Sequence, residues 1–547
     1  MTRYSLITVT LCLFPAITQA QVLPGQKQSP AVNDFAGTLS FLSSDWMEGR
    51  EAGARGGFMA ADYIASMMQL YGLAPSGDLD QSNNTRDKKP GSNSTFKRTY
   101  FQNFEVVRYK TDKETFAFIQ RTSTSESALQ LSAGTDFELR SGPYGREAET
   151  GVVFAGYGIT APDKAYDDYK GQDVKGRIVV VLDGFPGHAD TTSPAWKKLG
   201  KAFGEKHASV DEKLRIAEQH GAVALILVAA NGSIRPLSHS QMNRNILNSV
   251  MNSPKITEPE YDDPDYILPG DTTIAIAPCF SLGPDATSQL FAGTGIVLTG
   301  FETKIAHDLS PAPMPLKDKI IRFCVSVKQE SIGVHNVLGM IQGKDSSRSI
   351  VVGAHYDHLG IRNGNIYNGA DDNASGVSGM LALAKVWSEN CERPACNIIF
   401  AAWTAEEKGL LGSSYFVQHT RANPGKIKLS VNLDMISRSA PEDTDCRILS
   451  IGTMKGNEYL QHMAAEGNLR LSHPFKLDLW DVTGHFGSDY ASFTAVKIPV
   501  MTFFSGFHDD YHTPRDISAK TDPGKMESIL KLVNGCIRQA LDSIQSK

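Results

Sequence analysis

Apolar and polar positions follow three patterns along this chain. Between Asp34 and Leu73, apolar residues recur at Phe58, Ala61, Ile64, Met67, Met68 and Tyr71, the spacing of one helical face. The glycine-rich stretch EGREAGARGG interrupts that region and reads as a loop joining two helices. Ser76–Lys97 is rich in Asn, Ser, Asp and Lys and reads as a flexible insertion.

The second pattern begins near Ser141. The run GVVFAGYG, Gly151–Gly158, predicts a strand ending in glycines, and Arg177–Leu182 is a β-branched run. Leu214–His220 predicts a helix, Ala222–Ala229 a buried strand, and Asn243–Asp271 a polar loop. This block, residues 141–300, is simplest as an inserted domain.

From Val334 onward the pattern is alternating α/β. Strands are expected at Ile350–Ala354, Asn397–Trp403, Leu429–Met435, Arg447–Ile451 and Pro499–Phe504. Helices are expected at Ser375–Ser388, Gly409–His419, Asn457–Glu466 and Met526–Ile544. The predicted fold class is α/β, a mixed, mostly parallel sheet with helices on both faces. The first part of this domain is residues 21–140 and the main part 301–547.

Composition narrows the options. A chain of 547 residues is too long for one ordinary core. With 41% hydrophobic and 21% charged residues it is an ordinary globular composition. Its net charge of -6 without a basic stretch speaks against a nucleic-acid partner. Arg3, the apolar run Ser5–Ile17 and the small residues ending at Ala20 read as a secretory signal, residues 1–20. The expected location is therefore secreted or periplasmic. No stable membrane span is expected. Outside that segment lie Cys279, Cys324, Cys391, Cys396, Cys446 and Cys536, and an exported protein can pair such residues. Cys391 and Cys396 are near enough for a local loop.

The candidate chemistry gathers at strand ends. His355 and Asp357 close the Ile350–Ala354 strand, Asp371 and Asp372 precede the Ser375–Ser388 helix, and Glu406 and Glu407 follow the strand ending at Trp403. Asp434 lies in the apolar run VNLDMI, and His508, Asp509, Asp510, Tyr511 and His512 follow the last strand. Singly, each has a plain structural reading. Asp434 can cap a strand end, Glu406 and Glu407 can form a solvated pair, and lone histidines often sit in cores. Together, His and carboxylate groups at the C-terminal ends of strands suit a borderline metal. Two divalent ions would balance Asp372, Glu407, Asp434 and a shared hydroxide, leaving Glu406 to move a proton.

The motifs HYDH, NGADDNASG, TAEEKGLLGS, NLDMI and GFHDDYHTPRD, in that order, resemble the M28 family of zinc peptidases of the aminopeptidase Y and leucyl aminopeptidase type. The resemblance covers Phe35–Leu73 and about Val334–Asp522. It implies a zinc-dependent exopeptidase of the phosphorylase/hydrolase-like fold, acting on peptides with two zinc ions. One ion would be held by His355 and Asp434 and the other by Glu407 and His512, with Asp372 bridging. Glu406 would be the general base, acting through a metal-bridging hydroxide. Asp357 would orient His355 from behind, and Tyr511 would hold the oxyanion. Asp371, His358 and His508 fall outside the implied ligand set, and SDY at Ser488–Tyr490, where many relatives read SDH, leaves Asp489 without a role. VVFAGYGI, YDDYKGQDVKGRIVVVLDG and AEQHGAVALILV in the inserted block resemble a β-rich protease-associated (PA) domain. Within the enzyme reading, carboxypeptidase or dipeptidase activity is the alternative, and glutaminyl cyclase chemistry is disfavoured by a full two-metal set. A receptor-like binding protein with a vestigial site is the alternative from another class. No G-x-S-x-G or His-Glu-x-x-His motif supports other hydrolase chemistry. His188, His207, His220 and His239 are scattered through the inserted block. Phe503, Phe504 and Phe507 line a side-chain pocket or pack the strand. The oligomeric state is not legible.

Overall fold

The computed structural model describes residues 30–80, 97–230, 264–271, 275–311, 313–390, 392–419 and 426–545. Residues 1–20, expected from the sequence to be a secretory signal, most of the polar insertion 76–97, the larger part of the loop 243–271, Cys391 and His239 lie outside the described residues. Among the described residues, no helix is long and apolar enough to cross a membrane.

The five expected strands, with Lys476–Asp481 and Met314–Ile341 added at the two ends, form one half of a continuous mixed sheet. Its order is Lys476–Asp481, Ile448–Thr453, Val500–Phe504, Ile427–Leu433, Asp345–His355, Cys396–Trp403 and Met314–Ile341. The central members Val500–Phe504, Ile427–Leu433, Asp345–His355 and Cys396–Trp403 run parallel. Their largely apolar runs follow from burial on both faces. Ile350, Val352 and Ala354 point into a core with the helices Val32–Leu42, Arg55–Leu70, Gly376–Ser388 and Pro523–Gln545. Val351 points the other way, into a core with Trp403, Phe416, Tyr490 and Phe493.

Two long strands carry the sheet onward. Met314–Ile341 pairs antiparallel with Phe101–Arg121 over most of its length, with an irregularity at Ser326/Val327. Beyond it the sheet continues through Arg146–Phe154, Ile178–Leu182, Ala224–Val228, Cys279–Leu282 and Phe137–Arg140. This second lobe has its own core, in which Val152, Val180 and Ile226 meet Phe280. That core also draws on Phe116, Phe118 and Phe137 before residue 141, and on Leu316, Ile321 and Phe323 after residue 300. Both lobes are therefore built on the same two strands. Asp265–Ile267, inside the stretch read as a polar loop, is a short strand paired with Val107–Tyr109.

Among the described residues, Cys324, Cys396, Cys446 and Cys536 form no disulfide with one another. Cys396 opens a buried strand; Cys391, its possible partner in a local loop, lies outside the described residues.

Candidate metal centre

The site residues arrive at the C-terminal edge of the parallel strands, where their side chains leave the sheet for the loops. His355 is the last residue of its strand and is buried. Its Nδ1 faces the backbone carbonyl of Asp357 at 3.2 Å, which directs Nε2 towards the carboxylates. That Nε2 lies 3.4 Å from Asp372 Oδ1, 3.4 Å from Asp434 Oδ1 and 4.0 Å from Glu406 Oε2. On the other side of Asp372, Oδ2 lies 3.0 Å from His512 Nε2, which is also 3.3 Å from Glu407 Oε2. Although these neighbours are close, His512 Nε2 makes no hydrogen bond of proper geometry with them. His355 Nε2 and His512 Nε2 each lie among carboxylate oxygens, an imidazole–carboxylate set of the kind that holds a divalent ion.

Two groups of donor atoms result, each with all members within 4.8 Å of one another: His355, Asp372 and Asp434, and His358, Asp372, Glu407 and His512. Asp372 belongs to both. Imidazole and carboxylate donors in sets of three and four fit a pair of zinc-like divalent ions. Burial and the neighbouring Glu407 push the Asp372 carboxyl up to about 7. Burial opposes a charge on His512, yet Glu407 and Asp372 raise it to about 10. Both shifts register a dense negative field that suits cations.

His358, outside the ligand set implied by resemblance, belongs to the second group. It is buried, and its Nδ1 lies 2.7 Å from Glu407 Oε1. Burial pushes it down to about 3, so the ring is neutral and Nδ1–H donates to the carboxylate. This leaves Glu407 Oε2 for the side where His512 lies. The signal for His358 was its place three residues beyond His355, at the same strand end.

Asp357 is buried, and its carboxylate accepts the N–H of Glu406 at 3.1 Å and of Glu407 at 3.3 Å. Its nearest carboxylate contact with His355 Nδ1 is longer, 4.0 Å. Burial raises this carboxyl to about 6. Asp371 points away from the donor groups: its Oδ1 accepts the Ser437 N–H and hydroxyl at 2.7 Å each, and Oδ2 lies 3.4 Å from His508. Asp516 accepts the backbone N–H groups of Asp371 and Asp372 and holds that loop from below. Asp489, without a role in the sequence, is buried within the field of His355, Asp434 and Asp357, and burial raises it to about 7.

Tyr511 stacks on the His512 ring at 3.8 Å between centroids, and Phe507 and Phe504 continue the aromatic series. Burial, then Asp372, Glu407, Glu406 and Asp434, raise the phenol well above its ordinary value, so it is a donor. Phe503 is fully buried in the core. Of the scattered histidines, His207 is buried and His220 stacks on Tyr169, and neither joins a donor group.

The Glu406–Glu407 turn is also held from the second lobe. Tyr266 and Leu268 pack with Ala405 and Leu411 on either side of it. Lys408 Nζ lies 5.2 Å over the Tyr266 ring and 3.2 Å from Glu51.

A parallel α/β sheet with paired His/carboxylate donor groups at its carboxyl edge defines a metallohydrolase-type centre. Residues 336–536 match the profile of peptidase family M28, and the chain carries a domain of that family. It is 32% identical over 190 residues to a probable leucine aminopeptidase 2 from Aspergillus oryzae, a match spanning 33% of this chain and 36% of that protein. It is 27% identical over 215 residues to aminopeptidase YwaD of Bacillus subtilis, spanning 38% and 44%. A probable zinc metalloprotease of Pyrenophora teres f. teres is 33% identical over 119 residues, 20% of this chain and 24% of that one. The chain thus aligns with less than half the length of each of these relatives. Among solved structures, an aminopeptidase from Aneurinibacillus sp. strain AM-1 shares the fold over 94% of both chains, with a TM-score of 0.53 and 19% identity.

Proposed function

We propose that this protein is a zinc-dependent aminopeptidase that removes N-terminal residues from peptides with two ions per chain. The observation that carries this reading is Asp372, shared by the two donor groups. Its family domain and the names of its relatives, leucine aminopeptidase and zinc metalloprotease, support the same class. Divalent ions held by His355, Asp372, Asp434, Glu407 and His512 would polarise the scissile carbonyl and acidify water between them. Glu406, near His355 but outside both donor groups, takes a proton from the attacking water and returns it to the leaving amine. Asp357 holds Glu406 and Glu407 by their backbone N–H groups. Tyr511 offers its hydroxyl to the developing oxyanion. Residues 1–20 act as a cleaved export signal, and the second lobe, built by residues 141–300 together with the flanking strands, is of PA type.

The test is hydrolysis of leucine anilide and of its N-acetylated counterpart, with and without a chelator. The reading predicts cleavage of the free-amine compound alone, abolished by chelation. Cleavage of the blocked compound but not the free one would refute the aminopeptidase assignment.

A further inference from the structure

The loop EGREAG, which reads from sequence as a simple connection, lies outside the matched family domain and reaches directly under the metal centre. Glu48, Gly49 and Arg50 all have left-handed backbone, with φ of 48°, 69° and 51°. This turn drives the Arg50 side chain inward, where it is completely buried. Gly49 permits the approach: a Cβ there would meet the carbonyl oxygens of Gly360 and Tyr367 at 2.5 and 2.6 Å.

The guanidinium spends its donors on backbone carbonyls. Nε donates to Tyr356 at 2.8 Å, one terminal nitrogen to Leu42 and Asn368 at 2.6 Å each, and the other to Gly369 at 2.8 Å. In return, the Arg50 carbonyl accepts the His358 N–H at 3.3 Å. Tyr356 lies between His355 and Asp357. Asn368 and Gly369 lead directly into Asp371 and Asp372. One rigid fork therefore joins the two loops that carry His355, His358 and Asp372. Burying a guanidinium is unfavourable in itself, and carbonyl dipoles are its direct partners here. Burial lowers it to about 10 against the field of Asp372, Asp516, Asp357 and Glu407, so it remains charged at neutral pH.

We propose that Arg50 is the positioning residue of the metal centre, setting the distance between the His355–His358 turn and the Asp372 loop and thereby the affinity for both ions. This rests on the two-metal reading given above. A lysine keeps the charge, but its single ammonium cannot span Tyr356, Leu42, Asn368 and Gly369 together. The expected effect of Arg50→Lys is a loss of zinc affinity of at least about tenfold, the scale seen when groups orienting metal ligands are removed.

The experiment compares zinc binding to chelator-stripped wild type, Arg50→Lys, Gly49→Ala and Lys385→Met, by competition with a chromogenic chelator and by bound-metal analysis. Gly49→Ala keeps the guanidinium but pushes its backbone off Gly360, and is expected to weaken binding in the same direction. It serves as the second variant if Arg50→Lys does not fold. Lys385→Met removes the 2.8 Å pair with Asp34, away from the ligand loops, and is expected to lower Tm with zinc affinity unchanged. Wild-type affinity in Arg50→Lys or, failing its folding, in Gly49→Ala would overturn the inference. So would an equal loss of affinity in Lys385→Met, because general destabilisation would then explain it. A wild type that binds no zinc would instead overturn the metal reading underneath.

Discussion

Replacing Asp357 by Asn separates catalytic positioning from stability. The wild-type carboxylate is fully buried and accepts two adjacent backbone N–H groups, from Glu406 at 3.1 Å and Glu407 at 3.3 Å. An amide of the same shape offers one acceptor, and its NH2 group faces the other N–H in a dry pocket. Losing one hydrogen bond to a charged group costs about 1.5–3 kcal/mol. Deleting the charge offsets part of this. Burial has raised the Asp357 carboxyl to about 6 from 3.8, and at about 1.4 kcal/mol per unit the ionised form is disfavoured by roughly 3 kcal/mol. The stability change is therefore small, within about 2 kcal/mol. Positioning receives no such offset, because Glu406 loses one of the two tethers on its turn. A loss of about 2–3 kcal/mol in transition-state stabilisation is a fall in kcat of roughly 30- to 150-fold. The assay is steady-state hydrolysis of leucine anilide beside thermal unfolding of the zinc-loaded protein. Wild-type kcat in a folded Asp357→Asn would refute the reasoning.

Two other changes are informative. Asp510 is buried, but hydrogen bonds from Lys520, Arg438 and Arg515 hold its carboxyl well below the usual range. A depressed carboxylate stabilises above its ordinary value near pH 4 and loses that contribution as pH falls through the folded value. Asp510→Asn should therefore lower Tm at pH 7, with a difference from wild type that shrinks steadily below about pH 4 in thermal scans; a pH-independent difference would be inconsistent. Because Arg515 and Lys520 are well exposed, most of the effect, about 1–2 kcal/mol, comes from Arg438 at 2.8 Å. Tyr266→Ala removes the ring packed against Ala405, Leu411 and Lys408, and should lower kcat by about tenfold with little change in KM if the second lobe steadies the Glu406 turn. An unchanged kcat in the steady-state assay would confine Tyr266 to stability.

Much of the peptidase lobe was legible because its parallel strands are buried on both faces. Their largely apolar runs, followed by His355, Glu406 and Asp434, read as buried strands with ionisable residues at their ends. The longest strands were missed. Phe101–Arg121 and Met314–Ile341 have extensive exposed stretches, and their polar residues dilute the signal. Their continuity between lobes also hid Phe116 and Phe323 as members of the second core. At the site, the ordered donors could be read because each is an ionisable side chain at a strand end. Arg50 could not, because its partners are backbone carbonyls, most of them some 300 residues away and without a side-chain signature. Asp371 and Asp372 are adjacent in sequence, yet only the fold directs one to Ser437 and the other to His355 and His512.

The central claim is that Asp372 links two metal positions. Zinc titrated into chelator-stripped protein, followed by bound-metal analysis of wild type and Asp372→Ala, tests it directly. The account predicts two ions per wild-type chain and weakened binding of both in Asp372→Ala. One ion or none in wild type, or loss of a single ion in the variant, would contradict it.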